Sequence, residues 1–145
     1  MTRLRFPFRA VPAALLLALA TLAPAAPARA QAQTPLTPEE FEAHTEGRTL
    51  TFSANGTAYG VEQYSPGRRV RWSFIDGECR EGRWYPQDDQ ICFVYEDGTG
   101  PQCWLFYGGT GGLRARVAGD AEGLVLYETR ASDDPLICPG PKVGV

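Results

Sequence analysis

Between residues 48 and 130 apolar and polar side chains alternate with a period of two. That is the spacing of strands with one face buried and the other in water. The alternation falls into runs at 48–53, 57–64, 68–74, 79–85, 90–95, 102–107, 113–117 and 124–130, separated by strong turn signals. Asn55-Gly56 is the sequence of a tight hairpin, and Pro66-Gly67, Asp76-Gly77 and Asp97-Gly98 mark further reversals. Gly108 to Gly112 and Gly119 to Gly123 mark the last two. About eight short antiparallel strands joined in chain order predict an all-β domain. A meander of that length loses its exposed edges by closing, so the expected fold is a small up-and-down β-barrel. A two-sheet β-sandwich is the alternative.

The same alternation assigns faces. Val70, Trp72 and Phe74 share one face of the third run, and Arg69, Arg71 and Ser73 share the other. Ile91, Phe93 and Tyr95 share a face of the fifth, and Trp104 and Phe106 share one of the sixth. A hairpin turning near Asp97-Gly98 sets Ile91 beside Trp104 and Cys92 opposite Cys103. Apolar meets apolar and cysteine meets cysteine in one register, and the two agreements support each other.

A different period precedes the strands. Thr37-Pro38-Glu39-Glu40 is a capping box with proline at the first helical position, and Gly47 is placed to end the helix. The prediction is a helix of two to three turns that leans Phe41 on the domain. Residues 31–36 are polar, contain proline and lack periodicity, which predicts a disordered linker. Residues 133–145 form a C-terminal tail after the barrel domain of 37–132.

Residues 1–30 have the layout of an export signal. Arg3, Arg5 and Arg9 precede the apolar run from Ala13 to Leu22, and Ala28-Arg29-Ala30 is a small-x-small cleavage site. The run is short for a transmembrane span, and Pro24 and Pro27 break the segment between it and the cleavage site. The expected product starts near Gln31 in the periplasm or the medium, with no membrane span after cleavage. The signal carries four of the fourteen basic residues and none of the seventeen acidic ones, so the remaining ten basic residues leave a net charge of −7. An acidic surface argues against nucleic acid and anionic lipid as partners; it serves solubility first and would also suit a cationic protein.

All four cysteines lie after the cleavage site. Their spacings contain no Cys-x-x-Cys, and the chain has one histidine, so neither a zinc site nor a dithiol redox motif is indicated. In an exported chain they predict structural disulfides. The register selects Cys92–Cys103, and the remaining pair, Cys79–Cys138, would tie the tail to the fourth strand.

No catalytic constellation stands out, and the chain reads as a non-enzymatic binding protein without metal or cofactor. His44 lies in the short helix, where a surface position is expected. Asp88-Asp89 and Asp133-Asp134 fall in turns, where paired acids are solvated charges. The glycine-rich segment from Gly108 to Gly112 lacks the lysine of a phosphate-binding loop. One cluster is distinctive. Arg68, Arg69, Arg71, Arg80 and Arg83 lie on neighbouring strands beside Trp72 and Trp84. Arginine pairs with anions and stacks on rings, which suggests a site for a small anionic ligand or glycan. The candidate ligand-binding residues are Arg69, Arg71, Trp72, Arg83, Trp84 and Trp104. The competing reading pairs these arginines with Glu62, Glu78 and Glu81 on the sheet surface.

Gly82-Arg83-Trp84, Ile91-Cys92-Phe93 and Gln102-Cys103-Trp104 resemble the strand pattern of small exported alphaproteobacterial proteins of unknown function. The resemblance runs from about Phe52 to Tyr107. It implies secretion and a lipocalin-like β fold, and it assigns no catalytic residue. A weaker similarity is to small periplasmic barrels that inhibit lysozyme, which implies a cationic partner, although their inhibitory loop pattern is absent from this sequence. The alternative function is inhibition of a cationic hydrolase through an acidic loop such as Glu96-Asp97-Gly98.

Overall fold

Eight strands succeed one another in chain order in the computed structural model, which describes residues 33–75 and 77–138. They are β1 (Thr49–Ala54), β2 (Thr57–Ser65), β3 (Arg69–Phe74), β4 (Cys79–Gln87), β5 (Gln90–Tyr95), β6 (Gln102–Tyr107), β7 (Arg114–Val117) and β8 (Val125–Ser132). Each pairs antiparallel with the next, and β1 pairs with β8, so the sheet closes into a barrel. Closure decides for the barrel over the sandwich and leaves no free edge. The predicted signal at 1–30, its predicted cleavage site and the tail from residue 139 lie outside the described residues.

The β5–β6 register pairs Ile91 with Trp104 and Cys92 with Cys103. Cys92–Cys103 and Cys79–Cys138 are both disulfide-bonded. The second bridge holds residues 133–138 as a strap on the outside of the wall. Along it the Thr49 hydroxyl donates to the Asp134 carbonyl (2.6 Å) and the Leu136 amide donates to Gln63 Oε1 (3.0 Å).

The two ends of the barrel differ. At one end sits α1 (Pro38–Thr45). Thr37 Oγ1 accepts the Glu40 amide (3.2 Å) while Glu40 Oε2 accepts the Thr37 amide (2.8 Å), completing the capping box. Gly47, at φ +78°, turns the chain out of the helix, and its amide donates to the Tyr64 carbonyl (3.0 Å). The helix does more than lean on the domain. Phe41 is fully buried inside the barrel, with ring centroids 4.5 Å from Phe106, 5.1 Å from Trp84, 5.7 Å from Tyr64 and 6.3 Å from Phe93. It stoppers this end.

Residues 33–36 have no regular secondary structure and are held against the barrel. Leu36 donates its amide to the Phe106 carbonyl (2.7 Å) and packs against the core, and Gln33 accepts from Arg114 (2.9 Å). One apolar side chain, one ladder-like bond and one side-chain bond hold the segment, and none leaves a periodic signature.

Candidate functional site

The opposite end, between the β1–β2, β3–β4, β5–β6 and β7–β8 turns, opens into a pocket. Its walls are aromatic: Tyr59 and Trp72 on one side, Phe93 and Trp104 on the other, with Phe74 near the rim. The layer that Phe41 supports, Tyr64, Phe93 and Phe106, also lines it. The stopper at one end is thus the underside of the pocket at the other.

Two glycines make room for these rings. A Cβ on Gly60 would lie 2.3 Å from the Trp72 indole, and one on Gly82 would lie 2.7 Å from the Tyr95 ring and 2.6 Å from the Val94 carbonyl. Both occupy positions where a side chain would point inward, so Trp72 and Tyr95 lie flat across bare backbone. Beside Gly60 the β1–β2 register shifts: Phe52 pairs with Gly60, but Ser53 pairs with Ala58. Tyr59 is the extra residue of a β-bulge, which aims its ring into the mouth, 6.0 Å from Trp72 and 5.5 Å from Phe74.

One acid sits in this aromatic wall. Glu62 is only 4% exposed and its side chain lines the pocket. Tyr64 Oη donates to its Oε2 (3.0 Å) and Tyr95 Oη donates to its Oε1 (2.7 Å). The expected pairing of Glu62 with a surface arginine does not occur. Glu62 is two residues from Tyr64 on β2 and shares its inward face, so it points away from the outer arginines. Burial pushes its carboxyl up to about 7, against the opposing pull of the Tyr95 and Tyr64 hydrogen bonds. Burial and the adjacent Glu62 raise both phenols far above their usual value, so both remain donors.

This burial predicts a pH dependence of stability. The folded state holds the Glu62 proton up to about pH 7, while the unfolded chain releases it near 4.5. Between those values the native state binds more protons, so stability falls as pH rises. The contribution is fully present below 4.5 and gone above about 7. At about 1.4 kcal/mol per pH unit the loss is about 3 kcal/mol. Denaturant unfolding from pH 4.5 to 8 is expected to show that decline, and Glu62→Gln to flatten it. Parallel profiles for the two proteins would assign the dependence elsewhere.

At the mouth, Arg80 forms an ion pair with Asp97 of the β5–β6 turn and lies over the Phe74 ring, 5.6 Å from its centroid. Thr99 accounts for most of Asp97's setting: its amide (3.0 Å), then its hydroxyl (2.8 Å), and then Arg80 hold the carboxyl below the usual range. The Asp97 charge in Glu96-Asp97-Gly98 is therefore already engaged within the protein.

The six candidate ligand residues divide. Trp72 and Trp104 line the pocket. Trp84 is buried at the other end against Phe41, with the Arg68 guanidinium 4.6 Å from its ring centroid. Arg69, Arg71 and Arg83 lie on the outer wall: Arg69 bonds the Pro66 carbonyl (3.2 Å), Arg71 pairs with Glu81, and Arg83 stands opposite Arg69 across the strands. The wall separates these three arginines from the tryptophans they adjoin in sequence. Arg80, opposite Trp72, is the arginine that reaches the pocket. Alternation with Gly82 and Trp84 was the signal for it.

His44 is tied in rather than free on the surface. Its Nε2 donates to Glu128 Oε2 (2.8 Å), which also accepts the Leu113 amide (2.8 Å). The pair fastens α1 to β8 and, through the Leu113 amide, to the loop before β7. Among the described residues no three His, Cys, Asp or Glu side chains gather to hold a metal ion, and no helix is long and apolar enough to cross a membrane. Comparison with protein-family models, curated proteins and solved structures gives no match to the chain.

Proposed function

We propose that the protein binds a small ligand in the open end of its barrel, and that it does so as an exported, non-enzymatic binding protein. The observation that carries this reading is the asymmetry of the barrel. Its own side chains fill one end around Phe41, while the other holds an open aromatic pocket with one buried polar group. A small barrel with no binding task can be packed along its whole length. An apolar cavity with few, fixed polar groups is the usual form of a small-molecule site. The two disulfides suit an oxidising compartment, and with the signal pattern at 1–30 they support the periplasm or the medium as its location. The lipocalin-like resemblance supports the same reading.

The test uses the oxidised protein and a panel of small amines, acids, alcohols and aromatic compounds, monitored by tryptophan fluorescence and indole N–H resonances. Binding is expected to move Trp72 and Trp104 and to leave Trp84 unchanged. Ala115, fully buried on the pocket wall, provides the control. Ala115→Leu fills the space and is expected to weaken binding at least tenfold while near-ultraviolet dichroism shows a folded barrel. If no compound shifts Trp72 or Trp104, or if Ala115→Leu binds as well as the wild type, the pocket is not the site.

A further inference from the structure

The pocket's polar equipment is lopsided in charge, and that points to a class of ligand. Its two charged lining residues are Arg80 and Glu62. Arg80 already has a counter-ion in Asp97 at the mouth. Glu62 has none: among the described residues its partners are two neutral phenols. Its neighbours across the sheet, Leu50 on β1 and Trp72 on β3, carry no charge. The other charged groups near the cluster act on the tyrosines: Arg80 and Asp97 on Tyr95, and Glu128 on Tyr64.

A carboxylate offers about four lone-pair positions, and the tyrosines occupy two, one on each oxygen. What remains is acceptor capacity in an apolar wall. A buried carboxylate without a counter-ion gains most from a ligand that brings one. Ring faces attract cations through their quadrupole and disfavour anions.

Resting on the ligand-binding reading above, we propose that this pocket takes a small organic cation, a primary ammonium whose N–H groups meet Glu62 and whose carbon skeleton lies against Tyr59, Trp72 and Phe93. Tyr64 and Tyr95 hold the carboxylate in place, and Gly60 and Gly82 let the rings close around the ligand. The small anionic ligand suggested by the arginine cluster has no matching group here, since Arg80 is already neutralised and the other arginines of the cluster point elsewhere.

Benzylammonium, benzyl alcohol and benzoate share a ring and differ in charge, so calorimetric titration of the oxidised protein with each at pH 8 separates the possibilities. Benzylammonium is expected to bind at least tenfold more tightly than the other two. Its affinity should fall as the pH is lowered from 8 to 5, while benzyl alcohol changes little. Glu62→Gln should remove the preference for the cation and keep the weak binding of the alcohol, whose retention shows that the pocket is intact. Equal or tighter binding of benzoate or benzyl alcohol overturns the cation assignment and leaves pocket binding standing. So does a preference for the cation that survives in Glu62→Gln. If none of the three binds, the cation assignment fails, and the broader panel decides whether the pocket binds anything.

Discussion

Phe41→Ala is expected to destabilise the protein by about 4 kcal/mol. The residue is fully buried, and four aromatic neighbours surround it with ring centroids between 4.5 and 6.3 Å. Truncation leaves a void that rings anchored on four different strands cannot collapse to fill. The helix also depends on this contact. Eight residues are too few for a helix to persist in water on its own, so α1 is held largely by what it buries. Denaturant unfolding with the disulfides intact should show a large drop in midpoint at little-changed slope. Phe41→Leu, which keeps most of the volume, should lose much less. A cost below about 1 kcal/mol for the alanine variant would mean that the strands close this end by themselves.

Removing the Cys79–Cys138 bridge as Cys79→Ser/Cys138→Ser is expected to cost about 4 kcal/mol, against about 3 kcal/mol for the Cys92–Cys103 pair. The difference comes from loop length. The first bridge joins residues 59 apart and the second residues 11 apart, so the first removes more freedom from the unfolded chain. The two losses should also differ in kind. Without Cys79–Cys138 the strap over β1 and β2 keeps, among the described residues, the bonds from Thr49 to Asp134 and from Leu136 to Gln63. Limited proteolysis should then cut the tail well below the unfolding temperature. The Cys92–Cys103 variant should keep a resistant tail. Equal losses and equal resistance would show that the strap is held by its surface contacts and not by the bridge.

The strands were legible because each carries a period of two and nearly every turn is marked by glycine, proline or asparagine. The β5–β6 register came from two signals that coincide, apolar with apolar and cysteine with cysteine. The pocket was less legible, and particular residues show why. Tyr59 faces inward only because a bulge breaks the alternation, and a bulge is a property of two strands together. Glu62 shares the inward face with Tyr64, but its second partner, Tyr95, lies 33 residues away in sequence. Without that partner an acid on a strand reads as surface decoration. Arg80 was grouped with the outer arginines by composition, although strand phase separates it from them. The depth of Phe41 depends on where the helix docks, which no local pattern encodes.

The β1–β8 seam has a consequence for how the chain reaches this state. It joins the first strand to the last, pairing Thr49 with Ser132. Contacts between residues so distant form late, because most of the chain must be ordered before they repay the lost entropy. Until then β1 and β8 are bare edges, open to other chains as readily as to each other. Cys138 lies six residues beyond the end of β8, and the strap that carries it is fastened to Thr49 of β1. Its oxidation with Cys79 therefore records that the ring has closed, and the timing of that bond during refolding would report when the chain stops being able to add to its neighbours.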